Sequence, residues 1–124
     1  MKAAIIVLSD PHGGEESVGR VFNALGVAYD YKLKGDEVTV IFMGAGTRWV
    51  TELSKPEHLV HALFNEVKDT VAGVSCGCAD VFNATEDVEK SAFDLIGGNP
   101  IPGTNGGSPS LHKLVSEGYT IMNF

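Results

Sequence analysis

The chain has 124 residues, of which 44% are hydrophobic and 20% charged. That is the length of one domain with enough apolar material for a core, which excludes a disordered chain. With 16 acidic against 9 basic side chains the net charge is −7, and the cations are scattered, so neither nucleic acid nor an anionic membrane is an expected partner.

The elements are predicted in chain order from apolar periodicity. Lys2–Leu8 is a nearly unbroken apolar run, as in a strand covered on both faces. It is too short for a secretory leader and lacks a cleavage pattern, and no run reaches the ~18–20 residues of a membrane span. A turn-rich loop, Ser9–Glu16, follows. Val18, Val21, Phe22, Leu25 and Tyr29 then recur at helical spacing, predicting an amphipathic helix that ends near Gly35.

Asp36–Gly44 reads as the second strand and Gly44–Trp49 as the loop leaving it. A helix is predicted after Pro56, with Leu59, Ala62, Leu63 and Val67 on one face. Thr70–Cys76 reads as a third strand running into a helix that starts near Cys78. Thr85 is placed as the cap of another helix, Glu86–Ile96. After a glycine-rich connector, Gly97–Gly107, Ser108 and Pro109 form a cap and first-turn pair for the last helix, and Tyr119–Phe124 closes the chain as a strand.

Strands alternating with helices predict a single α/β domain over residues 1–124, with a mainly parallel sheet covered by helices on both faces. Sheets of this kind bind ligands beyond the carboxyl ends of their strands. The segments leaving that edge, Ser9–Glu16, Gly44–Trp49 and Ser75–Ala79, are therefore the candidate site.

Both cysteines of the chain lie in the third segment, as Cys76-Gly77-Cys78. Their spacing is too tight for a relaxed disulfide, and two thiols are two ligands short of a tetrahedral zinc site. A thiol at a strand-to-helix junction meets unpaired backbone N–H groups, which favour the thiolate. Gly77 leaves room for backbone to approach a bound group. In the first segment, His12 is an acid–base or anion-binding candidate, and Gly13 and Gly14 offer backbone donors. In the second, Arg48 suits an oxyanion and Trp49 suits a pocket wall or an interface. His58 and His61 lie three apart on a predicted helix without a supporting carboxylate pattern, so they are expected on its surface. Nothing in these patterns calls for a bound cofactor or metal.

The loop "SDP" after the first strand, "FMGAGTRW" after the second and "GVSCGCADVFNA" at the third together resemble the DsrE/DsrF-like family, across nearly the whole chain. The resemblance implies a flavodoxin-like sandwich of about five strands, a cytoplasmic location and trimers or hexamers. In its sulfurtransferase members a cysteine after the third strand carries a persulfide and passes it to a partner protein. Both Cys76 and Cys78 fall in the matching region: the small residue that follows favours Cys78, the strand end favours Cys76. Where the relay subunits continue with small residues and a basic stretch, this chain has Asp80-Val81-Phe82-Asn83, and a carboxylate there disfavours a neighbouring thiolate. Two functions are thus expected as alternatives: a sulfur carrier or sulfurtransferase working between donor and acceptor proteins, or a non-enzymatic oligomeric module that binds a small anion or nucleotide through Gly13, Gly14 and Arg48.

Overall fold

A computed structural model describes residues 1–124. Five strands, β1 (Lys2–Val7), β2 (Glu37–Phe42), β3 (Val71–Ser75), β4 (Leu95–Ile96) and β5 (Thr120–Asn123), form one sheet in the order β4-β3-β2-β1-β5. Every pairing is parallel. The helices are α1 (Glu15–Leu33), α2 (Trp49–Leu53), α3 (His61–Val67), α4 (Cys76–Val81), α5 (Thr85–Glu89) and α6 (Leu111–Ser116). The alternating pattern predicts this parallel α/β sheet, and the architecture is consistent with the flavodoxin-like sandwich that the resemblance implies. No helix is long and apolar enough to cross a membrane.

The run from β1 to β4 steps across the sheet in one direction, and only the connection to β5 reverses. Right-handed crossovers then put α1 to α5 on one face and α6 on the other. Ala3, Ile5 and Val7 alternate toward the helical face and join Val40, Phe42 and Val74 in the core. Ala4, Ile6 and Ile41 are buried on the opposite face. Burial on both sides explains why β1 reads as a continuous apolar run.

The core stripe of α1 is Val21, Ala24, Leu25 and Ala28, whose three- and four-residue steps keep them on one face. Phe22, assigned to that stripe by spacing, points outward and is 55% exposed. Likewise Leu59 lies outside α3 and is exposed, while Phe64 and Val67 supply the buried face.

Three further expectations are corrected. The helix predicted over Glu86–Ile96 ends at Glu89, and Leu95–Ile96 pairs with β3 instead. Gly73 permits this: at φ 155 its missing side chain would meet the Asp94 carbonyl at 2.6 Å, and that carbonyl accepts the Val74 N–H at 2.9 Å. Thr85 is the first helical residue of α5 rather than its cap. The cap of α6 is Ser110, whose hydroxyl accepts the Lys113 N–H at 3.1 Å, because Ser108 is buried and engaged elsewhere.

A tight approach sets the active edge of the sheet. The turn Gly44–Arg48 after β2 lies so close to the end of β1 that a Cβ on Gly46 would sit 2.3 Å from the Val7 carbonyl oxygen. In α1, by contrast, a Cβ on Gly26 meets nothing within 4 Å. Gly26→Ala is therefore expected to stabilise the chain by about 0.5–1 kcal/mol through helix propensity. Gly46→Ala is expected to destabilise it by about 1–3 kcal/mol through overpacking against backbone. Urea unfolding of the two variants checks the opposite signs.

Candidate functional site

The three segments leaving β1, β2 and β3 do converge, and their own side chains bind them together. Trp49 is fully buried, and its indole N–H donates to the Ser9 carbonyl at 2.7 Å, which satisfies a donor that would otherwise be stranded in the core. The Trp49 ring also packs edge-on against His58 at 5.9 Å. Trp49 is thus an anchor between the first two segments and not a wall of the site.

Arg48 joins the first two segments to the end of the helix that follows the third. Its guanidinium donates to Asp10 Oδ1 at 3.4 Å and to the Phe82 carbonyl at 3.1 Å, and it lies over the Phe82 ring at 5.7 Å. The cation is paired within the chain, with its side chain about one-third exposed. His12 is exposed and sits between two carboxylates, 3.7 Å from Asp10 and 3.8 Å from Glu52. The Gly13 N–H closes a turn on the Asp10 carbonyl at 3.0 Å, and Gly14 adopts φ 86 to start α1. His12, Arg48, Glu52 and Asp87 line a cavity of about 200 Å³ beside this clip.

Asp10 is held below the usual carboxylate range. The main cause is the His12 backbone N–H, which donates at 3.0 Å; partial desolvation opposes it, and the charges of Arg48 and His12 lower it further.

The cysteines begin α4 directly at the end of β3. Ser75 caps that helix, its hydroxyl accepting the Cys78 N–H at 3.3 Å and sharing a buried hydrogen bond of 3.0 Å with Ser108. The Gly77 N–H donates to the Gly107 carbonyl at 2.6 Å. Two of the backbone donors expected to face a thiolate are therefore already taken by the protein. Gly77 does allow a close backbone approach, and the approaching backbone is the chain's own: a Cβ there would lie 2.8 Å from the Gly107 oxygen.

The glycine-rich connector is the element that spacing did not place. Asn99 and Ser108 pair through two backbone hydrogen bonds of 2.7 and 2.8 Å, closing residues 99–108 into a loop. That loop folds over α4, where the Asn105 N–H meets Asp80 Oδ2 at 3.4 Å. The Asp80 carboxylate thus faces the loop.

The two thiols, both free, end up in different surroundings. Residues two apart on a helix are turned about 200° from one another. Cys76 points under the loop, its Sγ filling the space a side chain on Gly106 would need, 2.3 Å from that Cβ position. Cys78 instead lines a cavity of about 250 Å³ with Gly77, Val81, Phe82, Ile101, Thr104 and Ser108. Val81 and Phe82 follow Cys78 by three and four residues, the spacing of a shared helical face, so this half of the wall was legible. Ile101, Thr104 and Ser108 come from the distant loop and left no such signal.

Asp10→Asn tests the clip. A carboxylate whose folded pKa is lowered contributes stability above its unfolded pKa of about 3.9 and loses it as pH falls through the folded value. The variant is expected to melt below the parent chain at pH 7, with the gap closing below about pH 4. Thermal melts from pH 3 to 7 measure this.

An uncharacterised protein of the archaeon Methanocaldococcus jannaschii is 30% identical over 125 residues, covering 98% of this chain and 94% of that one. No solved structure matches the chain. The family model of the DsrE/DsrF-like family matches residues 1–124, with the Cys76–Cys78 segment at the end of its third strand, and the chain belongs to that family.

Proposed function

We propose that the protein is a sulfur carrier of the sulfur-relay type, with the sulfane sulfur held as a persulfide on Cys78. The observation that supports this most is the asymmetry of the two thiols. A persulfide adds one heavy atom beyond Sγ, and Cys78 has a 250 Å³ cavity in front of it while Cys76 has the backbone of Gly106. Membership of a family generally linked to sulfur relay supports the same chemistry. A cytoplasmic setting fits it, because thiols stay reduced there.

Each part of the site has a role in this reading. The Ser75 cap and the Gly77–Gly107 hydrogen bond hold the first turn of α4 so that Cys78 faces the cavity. Thr104 and Ile101 shield the loaded sulfur from water. Arg48 acts at one remove, as a positioning residue that fixes Phe82, one wall of the cavity. The anion-binding alternative is supported less, since Arg48 already pairs with Asp10 and the Phe82 carbonyl.

Intact-mass spectrometry after exposure to a persulfide donor tests the proposal. The parent chain and Cys76→Ser are expected to gain about 32 Da, one sulfur atom, reversibly with dithiothreitol, and Cys78→Ser is expected to gain nothing. An adduct that survives Cys78→Ser and vanishes in Cys76→Ser would reassign the carrier.

A further inference from the structure

We infer that the Cys78 cavity selects uncharged, apolar sulfur donors, hydropersulfides in their protonated form R–S–SH with a hydrocarbon R group, over anionic donors such as thiosulfate. This rests on the carrier reading above and adds the class of substrate.

The lining carries the argument. None of the seven residues around the cavity is charged, and Val81, Phe82 and Ile101 supply its apolar walls. Its two hydroxyls are already occupied: Thr104 donates to the Ile101 carbonyl at 2.8 Å, and Ser108 shares its hydrogen bond with Ser75. At most one hydroxyl proton is left to replace the water around an oxyanion. Burying an unpaired anion is far more costly than burying a hydrocarbon. Arg48 is not among the lining residues, and its guanidinium is paired with Asp10 and the Phe82 carbonyl. The chain's net charge of −7 also disfavours the approach of an anionic donor.

The volume agrees. A cavity of about 150 Å³ lined by apolar side chains can hold benzene. The 250 Å³ here accommodates a ring of that size together with two sulfur atoms. Val81 and Ile101, 57% and 40% exposed, give the mouth an apolar rim.

The transfer balances without an external oxidant or reductant. The Cys78 thiolate attacks the outer, sulfane sulfur of the protonated R–S–SH. The Sγ–S bond forms, the donor S–S bond breaks, and R–S⁻ leaves with the electron pair. It takes up the proton that Cys78 gave away. The products are Cys78–S–SH and R–SH.

The test uses Cys76→Ser, so that only Cys78 reports. Benzyl hydropersulfide, released in place from a precursor at a pH low enough to keep it as R–S–SH, is expected to load the chain at least about tenfold faster than thiosulfate, each rate normalised to a free thiol at the same pH. Ile101→Lys, which places a cation at the mouth, is expected to shrink that ratio severalfold or reverse it. Equal or faster loading by thiosulfate, or an unchanged ratio in Ile101→Lys, would overturn the assignment. A second measurement separates it from the carrier reading: the cavity also predicts that neutral iodoacetamide outpaces anionic iodoacetate at Cys78, again relative to a free thiol. If alkylation shows that preference but no persulfide donor loads Cys78, the carrier reading fails while the apolar cavity stands. If alkylation shows no preference, the apolar selection fails whatever the donors do.

Discussion

The functional edge depends on a side chain that is not there. Because residue 46 is glycine, the turn after β2 can lie against the Val7 carbonyl at the end of β1. That approach brings Trp49 down onto the Ser9 carbonyl and Arg48 onto Asp10. Arg48 then reaches the Phe82 carbonyl and ties the end of α4 to the first two loops. Parallel strands alone would leave three loops near one another. The close contact at Gly46 and the two donors that follow it turn them into a single rigid surface.

On that surface the polar groups mostly serve one another. Buried donors and acceptors are costly when unpaired, and here Trp49, Ser75, Ser108 and Thr47 all find partners within the chain. The consequence for chemistry is a site with little spare hydrogen-bonding capacity. What remains open is a sulfur atom beside hydrocarbon walls. Such a place suits the persulfide proposed for Cys78, and no charged side chain lines it. The acidic balance of the chain also disfavours an anionic donor.

The glycine-rich loop makes the cysteines unequal. It is anchored through Ser108 to Ser75, through Gly107 to Gly77 and through Asn105 to Asp80, so its grip falls on the first turn of α4. Both thiols are half-buried, but one packs against the loop at Gly106 and the other lines a cavity. Asp80, a discouraging neighbour for a thiolate when read along the chain, is turned toward the loop and helps to fasten it.

The sequence by itself determined the α/β class, the parallel sheet, the convergence of three loops and the position of the cysteines at the third strand's end. These follow from periodicity and from strand-end rules that act locally. Only the tertiary structure decided the rest. β4 is two residues long, and its apolar spacing matches a helix as well as a strand, so it exists only because Gly73 lets Asp94 approach. Ser108 and Ser110 are equally good caps, and the choice fell to the one not claimed by Ser75. Arg48 looked available until Asp10 and Phe82, 38 and 34 residues away, were brought to it. Which cysteine faces the cavity was likewise settled by the loop thirty residues further on, where Gly106 packs against Cys76, because a thiol's surroundings are set by what packs on it and not by its neighbours in the chain.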